Sequence, residues 1–237
     1  MLKYSFRTTE METRERKQGI RIIEGAGVFL FSASILRFDA LLIGRGGWYG
    51  ALMGLSAMPF AYYLADLFSG LVHWVCDSFG SSTTPLWGPM LVKPFRDHHR
   101  DPLQITRISL VENLGASAIA GTLVFWLSFP LLFPVQRTGG PWLFGYWLWS
   151  YFLVFSVLSN LLHRWSHFPA TKKPRWMVAL QRVHLILNHE AHGVHHRKPH
   201  RKNYCISCGW ANGLTNNIPW GTIEKGLSYV GITTNFD

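Results

Sequence analysis

No charged residue occurs in two long stretches of the chain, LGASAIAGTLVFWLSFPLLFPVQ (residues 114–136) and PWLFGYWLWSYFLVFSVLSNLL (residues 141–162). A helix needs roughly 20 apolar residues to cross about 30 Å of hydrocarbon. Each stretch meets that length. We therefore predict a membrane-spanning helix at each of them.

Two further stretches extend this pattern to about four spans. Residues 48–65 are uncharged, and their helix is expected to continue to about residue 77, whereas residues 20–36 form a weaker candidate flanked by charges. The composition agrees, because only 15% of the residues are charged, against roughly 25% in soluble domains. The predicted fold class is an all-α multi-pass membrane protein with a histidine-rich helical cap on the cytoplasmic side. Residues 1–21 are interpreted as a cytoplasmic N-terminal segment and residues 22–237 as one membrane domain.

The basic residues predict the orientation of these spans. The net charge is +10, and all but three of the 23 lysine and arginine residues (Arg37, Arg45 and Arg137) fall on the side that holds both termini. Lys and Arg gather in cytoplasmic loops of membrane proteins, so the charge indicates topology, and no nucleic-acid partner is expected. No signal peptide is expected at the N-terminus, because the first 19 residues are mixed in charge. The expected location is an inner membrane in a bacterium or the endoplasmic reticulum in a eukaryote.

All eleven histidines fall on the predicted cytoplasmic side or at the cytoplasmic end of a span. They form boxes at residues 73–77, 98–99, 163–167 and 184–200. Spacings of three and four residues place side chains on one helix face, and imidazole is a good ligand for iron. Because so many rings exceed the needs of one ion, the pattern favours two metal ions.

The last box is the densest, with five histidines from His184 to His196. If this stretch is one helix, at about 100° per residue all five share a face. His189 is nevertheless the member expected to be accidental, and His200 follows Pro199, which could end the helix first. Asp77 and Asp101 could bind metal, hold an imidazole N–H or offset positive charge. Asp66 lies deeper and is at best a candidate for holding a ligand in place. No catalytic residue separate from the metal ligands is indicated.

Five stretches together resemble the plasmanylethanolamine desaturase family, over roughly residues 62–215. They are DLFSGLVHWVCDSFGS (66–81), PFRDHHRDPLQITR (94–107), HRWSH (163–167), PRWMVALQRVHLIL (174–187) and HGVHHRKPHRKNYCISCGWAN (192–212). The resemblance implies a lipid desaturase domain and a metal-binding set at His73, Asp77, His98, His99, His163, His167, His192, His195 and His196. His184 and His200 also match the family and complete the predicted ligands.

The resemblance implies a reaction as well: two hydrogens are removed from the sn-1 alkyl chain of a plasmanyl phospholipid, which gives the vinyl ether of a plasmalogen. The implied cofactors are two iron ions, with O2 as co-substrate. Electrons would come from an external donor, such as cytochrome b5 or a ferredoxin with its reductase. A membrane phospholipid is the expected substrate, since the histidines lie where helices leave the hydrocarbon.

Other functions fit parts of the pattern. An acyl-lipid desaturase or a lipid hydroxylase could use the same iron site, and the spacing of the histidines does not distinguish them. A membrane metal transporter is the alternative outside enzymes, but it should carry ligands along its spans, and the uncharged spans are nearly free of them. A membrane cytochrome would need isolated axial histidines rather than adjacent ones.

Overall fold

The computed structural model describes residues 2–85, 88–132 and 139–234. The chain in these ranges is helical and contains no β-strand. In chain order the α-helices are α1 (Leu2–Ser78), α2 (Lys93–Arg100), α3 (Gln104–Arg107), α4 (Leu110–Leu132), α5 (Gly140–Ser166), α6 (Arg175–Arg182), α7 (His189–His195), α8 (Asn212–Thr215) and α9 (Trp220–Ser228). A π-helical turn precedes α2 at Gly88–Val92, and a 3-10 turn follows α5 at Ala170–Lys172.

Three of these helices are long and apolar enough to cross a membrane: Gln18–Ser78, Leu110–Pro130 and Gly140–Ser166. In the most apolar stretch of each helix, only 28–39% of the residues are buried within the protein. Large apolar side chains such as Phe29, Leu55 and Leu127 are exposed. A helix that is apolar on all sides requires either a large core or lipid around it. The prediction of an all-helical membrane protein is confirmed, although residues 133–136 of one predicted span lie outside the described residues.

Helix α1 contains a sharp break at Gly47, whose φ of 53° and ψ of −144° are not helical. A residue with a side chain rarely adopts such a conformation, whereas glycine does so readily. The chain turns back here, because Gly50 lies against the carbonyl oxygen of Leu42. In a straight helix eight residues would separate these groups by about 12 Å.

The contacts of α1 with α5 change direction at this break. Before Gly47, α1 runs antiparallel to α5, since Asp39 contacts Ser150 and the later Gly46 contacts the earlier Leu143. After Gly47, α1 runs parallel to α5, since Gly54 contacts Trp147 and the later Tyr62 contacts the later Phe155. The two parts of α1 therefore run antiparallel. The core between the first part, α4 and α5 is aromatic, with the Phe38 ring 5.6 Å from that of Phe125 and 6.4 Å from that of Tyr146.

The C-terminal ends of α1 and α5 consequently lie at the same end of the helix bundle. The shorter helices pack against this end, where Trp74 of α1 contacts Trp220 of α9 with ring centroids 4.5 Å apart. Arg96 of α2 donates hydrogen bonds to the carbonyl oxygens of Phe79 and Gly80, which follow α1. This packing brings residues from α1, α2, α5 and α7 into one buried volume.

Candidate metal centre

Two groups of potential metal ligands occupy that volume. The five-histidine group contains His98, His163, His167, His192 and His196, and the carboxylate group contains His73, Asp77, His99 and His195. Within each group one ligand atom from every member lies within 4.8 Å of all the others. These are nine of the eleven ligands predicted from the sequence.

The Nε2 atoms of four histidines in the five-histidine group lie in contact with one another. The Nε2 atom of His163 lies 2.8 Å from that of His192 and 3.2 Å from that of His167, and the His196 and His192 Nε2 atoms are 3.0 Å apart. A neutral imidazole nitrogen offers either one proton or one lone pair, so hydrogen bonds cannot satisfy all three contacts. A central cation can. Metal–nitrogen bonds of about 2.1 Å at right angles would separate neighbouring nitrogens by about 3.0 Å, close to these distances.

The carboxylate group is arranged around Asp77. Its Oδ2 atom lies 3.4 Å from Nε2 of His195, 3.6 Å from Nε2 of His73 and 3.8 Å from Nε2 of His99. Both carboxylate oxygens of Asp77 and the Nε2 atom of His73 are buried without a hydrogen-bond partner among the residues described. Buried polar atoms are rarely left unpaired, and these donors suit a cation bound between them.

Backbone carbonyl groups fix the orientation of two rings in this second group. The Nδ1–H of His73 donates to the carbonyl oxygen of Tyr204 over 2.9 Å, and that of His195 donates to the carbonyl oxygen of Lys202 over 3.0 Å. With the proton on Nδ1, the lone pair of Nε2 faces the group. Such outer hydrogen bonds are typical of metal-binding histidines.

Burial and the crowding of rings also keep the imidazoles neutral. Burial is the largest cause in each case, and it lowers the pKa of His99 and His167 to about 3 and the pKa of His195 and His196 to about 4, from an ordinary value of 6.5. The neighbouring imidazoles contribute to each of these shifts in the same direction as burial. At neutral pH the nitrogens therefore carry lone pairs that can bind metal.

Helix geometry positions the ligands of both groups. His73 and Asp77 are one turn apart in the last two turns of α1, and His163 and His167 are one turn apart at the end of α5. Helix α7 carries the last box, and its first turn is capped by the Asn188 side chain, which accepts from the backbone N–H of Ala191 over 2.7 Å.

The single helix assumed for the last box is not formed. Helix α6 ends at Arg182 and α7 begins at His189, with a turn between them. Helical angles therefore do not relate His184 to the later histidines. His184 has a φ of 56° and lies exposed outside both groups, where its carbonyl oxygen accepts from the indole N–H of Trp210.

His200 also lies outside the two groups but remains close to them. Its ring stacks on His99 with centroids 4.7 Å apart, and its Nδ1–H donates to the carbonyl oxygen of His195 over 2.9 Å. His189, expected to be accidental, is exposed, and its Nδ1–H donates to the carbonyl oxygen of Ser166 over 3.2 Å. His200 therefore holds the ring of His99 and the backbone of His195 in the carboxylate group. His189 contacts the backbone at the end of α5, beside the five-histidine group.

Neither predicted supporting aspartate contacts an imidazole. Asp101 is half-exposed and forms an ion pair with Arg107 at 3.0 Å. Asp66 is fully buried, and its carboxylate accepts from four backbone N–H groups at 3.0–3.1 Å, those of Ser207, Cys208, Gly209 and Ala211. Asp66 thus anchors the loop that follows Tyr204, the residue whose carbonyl orients His73.

The anchored loop also carries two cysteines, Cys205 and Cys208, which form a C-x-x-C pair in the sequence. Cys205 and Cys208 are buried and not disulfide-bonded. Burial raises the pKa of Cys205 to about 12, so its thiol stays protonated at neutral pH and is a poor metal ligand. This agrees with a structural role for the pair.

Comparison with known proteins places the chain among enzymes of lipid modification. A family model described as a lipid desaturase domain matches residues 62–232. The chain belongs to the lipid desaturase family. It is therefore an oxidoreductase acting on lipid, and the resemblance read from its sequence motifs is confirmed.

Relatives with assigned names agree with this membership. The chain is 34% identical to a plasmanylethanolamine desaturase of Myxococcus xanthus over 87% of its length and 75% of the relative's. It is 38% identical to plasmanylethanolamine desaturase 1 of Mus musculus over 82% and 72% of the two chains. It is also 35% identical to a chloroplastic fatty acid desaturase 4 of Arabidopsis thaliana over 69% and 48%. No solved structure matches the chain at a significant level.

Proposed function

We propose that this lipid desaturase is a di-iron, O2-dependent enzyme that introduces the vinyl-ether double bond into the sn-1 alkyl chain of plasmanyl phospholipids. The observation that carries the proposal is the pair of adjacent ligand groups. The rings of His99 and His196, one from each group, have centroids 5.2 Å apart, and those of His73 and His163 are 6.1 Å apart. Two ions held side by side would share this one buried volume.

The donor set suits iron. The five-histidine group would hold one ion and the carboxylate group the other. Imidazole binds iron well, and imidazole together with carboxylate is a common environment for iron in oxygen-dependent enzymes. Two irons with O2 supply the oxidising power needed to remove hydrogen from an unactivated C–H bond, which redox-inert zinc cannot supply. The chain holds the rings neutral, directs their lone pairs inward and excludes water, because His73, His192 and His195 are at most 1% exposed.

The position of the groups supports a bond near the lipid headgroup. The ligands lie in the last turns of α1 and α5, where the apolar helices end. A lipid lying against these helices would present the first carbons of its chains at this depth. The two relatives named as plasmanylethanolamine desaturases support the alkyl chain of a plasmanyl lipid as the substrate.

We further propose four membrane spans, with the break at Gly47 separating the first two and with both termini and the ligand groups in the cytoplasm. The antiparallel parts of α1 and the one-sided distribution of basic residues support this topology. A cysteine introduced at Thr138 should react with a membrane-impermeant reagent in intact cells, whereas one at Thr233 should not. The opposite labelling pattern would reverse the proposed orientation.

The remaining requirement is a source of two electrons outside this chain. The basic surface at the ligand end would suit an acidic electron-transfer protein, such as cytochrome b5 or a ferredoxin.

The reaction can be tested by supplying the purified protein with O2, a reductant and a plasmanyl phospholipid. A vinyl ether is hydrolysed by mild acid and releases a long-chain aldehyde, so mass spectrometry before and after acid treatment identifies it. A hydroxylated product would instead gain one oxygen. A protein inactivated by His195→Ala should form neither product and serves as the matched control.

A second candidate is an acyl-lipid desaturase. The similarity to the chloroplastic fatty acid desaturase favours it, although that relative is matched over only 48% of its length. An acid-stable product that has lost two hydrogens would decide for this alternative.

A further inference from the structure

A basic cavity of about 600 Å³ lies beside the carboxylate group. The loop after α7 forms one wall, and the segment leading into α9 forms the other. Four cationic residues are among those that line it, Arg197, Lys198, Arg201 and Lys202, and no Asp or Glu is among its lining residues.

Among the described residues, only one of the four cationic residues of this cavity forms an ion pair, and its partner lies outside the cavity lining. Arg201 pairs with Glu224 over 2.8 Å, and the buried Glu224 also accepts from the indole of Trp74 and the hydroxyl of Ser78. Arg197, Lys198 and Lys202 have no ion-pair partner in the part of the chain that the structure describes. The cavity therefore keeps an excess of positive charge, which favours an anionic ligand.

Hydrogen bonds across the cavity hold its two walls together. The backbone N–H of Asn203 donates to Oδ1 of Asn216 over 2.9 Å, and Nδ2 of Asn216 donates to Oδ1 of Asn203 over 2.8 Å. Trp220 also lines the cavity and is itself buried, and its indole N–H donates to the carbonyl oxygen of Thr215 over 3.0 Å. The shape is thus fixed by the chain itself, which lowers the cost of binding a ligand.

The same loop connects the cavity to the metal ligands. Lys202 is one of the residues that line the cavity, and its carbonyl oxygen accepts from the Nδ1–H of His195 over 3.0 Å. Val194 and Arg197 line the cavity on either side of His195 and His196. An anion in the cavity would be separated from the carboxylate group by the thickness of one loop.

We propose that this cavity binds the phosphate of the phospholipid substrate. The proposal rests on the function proposed above and adds the headgroup contact to it. Arginine and lysine bind phosphate through charge-assisted hydrogen bonds. Only a few covalent bonds join the phosphate of a glycerophospholipid to the first carbon of its sn-1 chain. A concave cavity of this volume fits one headgroup, whereas an acidic protein would require a broad exposed surface.

Binding can be measured without turnover. The probe is a water-soluble short-chain ether glycerophosphoethanolamine, titrated calorimetrically into the iron-loaded protein in detergent. The comparison ligands are the corresponding alkylglycerol without phosphate and inorganic phosphate. The variants are Arg197→Gln and Lys202→Gln, with Arg197→Lys as the conservative change. Lys225→Gln is the matched control, because Lys225 is an exposed cation of α9 that does not line the cavity.

We expect each Gln variant to bind the phospholipid probe roughly tenfold more weakly, as the loss of one charge-assisted hydrogen bond predicts. Binding of the alkylglycerol and the iron content should not change, Arg197→Lys should recover most of the affinity, and inorganic phosphate should compete with the probe. Equal affinity of wild type and Gln variants for the probe would overturn the proposal. So would slower reduction of the iron by an electron-donor protein with unchanged probe binding, because the cavity would then be a docking site.

Failure of the proposed function would give a different result. Loss of probe binding in the Gln variants, in a protein that desaturates no lipid, would support the phosphate site and refute the reaction. Desaturation that is equally efficient with the alkylglycerol and the phospholipid would refute the phosphate site and leave the reaction in place.

Discussion

Removal of one imidazole from the five-histidine group should release one metal ion and leave the other bound. His163 is the best position for this change, because its Nε2 atom contacts those of both His192 and His167 and its side chain is only 3% exposed. The change His163→Ala deletes a donor without altering Asp77, His99 or His195 of the second group.

The magnitude follows from the number of ligands. Protein sites with four ligands bind zinc with about 10–16 kcal/mol, so each ligand contributes about 3 kcal/mol. That loss corresponds to roughly a 100-fold weaker affinity. In the presence of a chelator that leaves both ions in the wild type, His163→Ala should retain about one iron per chain. Asp77→Asn should lose the other ion and also retain about one.

The assay is the iron content of purified protein by elemental analysis, with helix content from circular dichroism as a check on folding. His189→Ala is the matched control, because its ring lies outside both groups and contacts the backbone at the end of α5. A His163→Ala protein that keeps both irons, or a His189→Ala protein that loses one, would refute the division into ligands and bystanders.

Three further predictions concern the scaffold. Gly47→Val should destabilise the protein by about 2 kcal/mol because of its positive φ, whereas Gly44→Val, where a side chain also meets no neighbour within 4 Å, should not; the thermal midpoints in detergent compare the two. Asp66→Asn should lower the free energy of unfolding by about 1–3 kcal/mol, because its amide nitrogen cannot accept the N–H of Ala211, and unchanged stability would contradict that account. The metal-free protein should lose stability as the pH falls from about 6.5 towards about 4, since the unfolded chain binds protons that buried imidazoles such as His195 do not. An unfolding midpoint that stays constant over this pH range would contradict the conclusion that the buried imidazoles are neutral.

Local spacing predicted most of the residues that converge in the two groups. Pairs one turn apart, such as His73 with Asp77 and His163 with His167, need only a short helix to converge, and the structure forms both. The uncharged stretches at residues 114–136 and 141–162 likewise required only length and composition. These features depend only on residues that are close together in the sequence, so they can be predicted from one sequence alone.

Long-range hydrogen bonds caused the main difference between prediction and structure. The hydroxyl of Tyr62 donates to the carbonyl oxygen of Leu185, and the backbone N–H of Leu187 donates to the carbonyl oxygen of Ser207. A local bond, from Nε2 of Gln181 to the carbonyl oxygen of Leu187, adds to them. These bonds hold residues 183–188 out of the helix that their spacing suggested, and so move His184 to the surface. Their partners lie up to 123 residues away, and periodicity carries no information about them.

The role of Asp66 was hidden for the same reason. A carboxylate within an apolar helix indicates a function or a buried partner, and the sequence suggested support for a metal ligand. Its actual partners are backbone N–H groups 141–145 residues away, which have no side-chain signature. The support is real but indirect, because the anchored loop carries the Tyr204 carbonyl that orients His73.

The two proposed sites together restrict the bond that can react. If the phosphate is held among Arg197, Lys198 and Lys202, a lipid chain must pass from there to the ligand groups across the width of one loop. The ligands lie at the ends of α1 and α5 rather than along their length. The alkyl chain would therefore have to fold back out of the hydrocarbon to bring one of its deeper bonds to them. The first carbons of the chain need no such path. A fixed headgroup would therefore select the bond next to the glycerol, as formation of a vinyl ether requires.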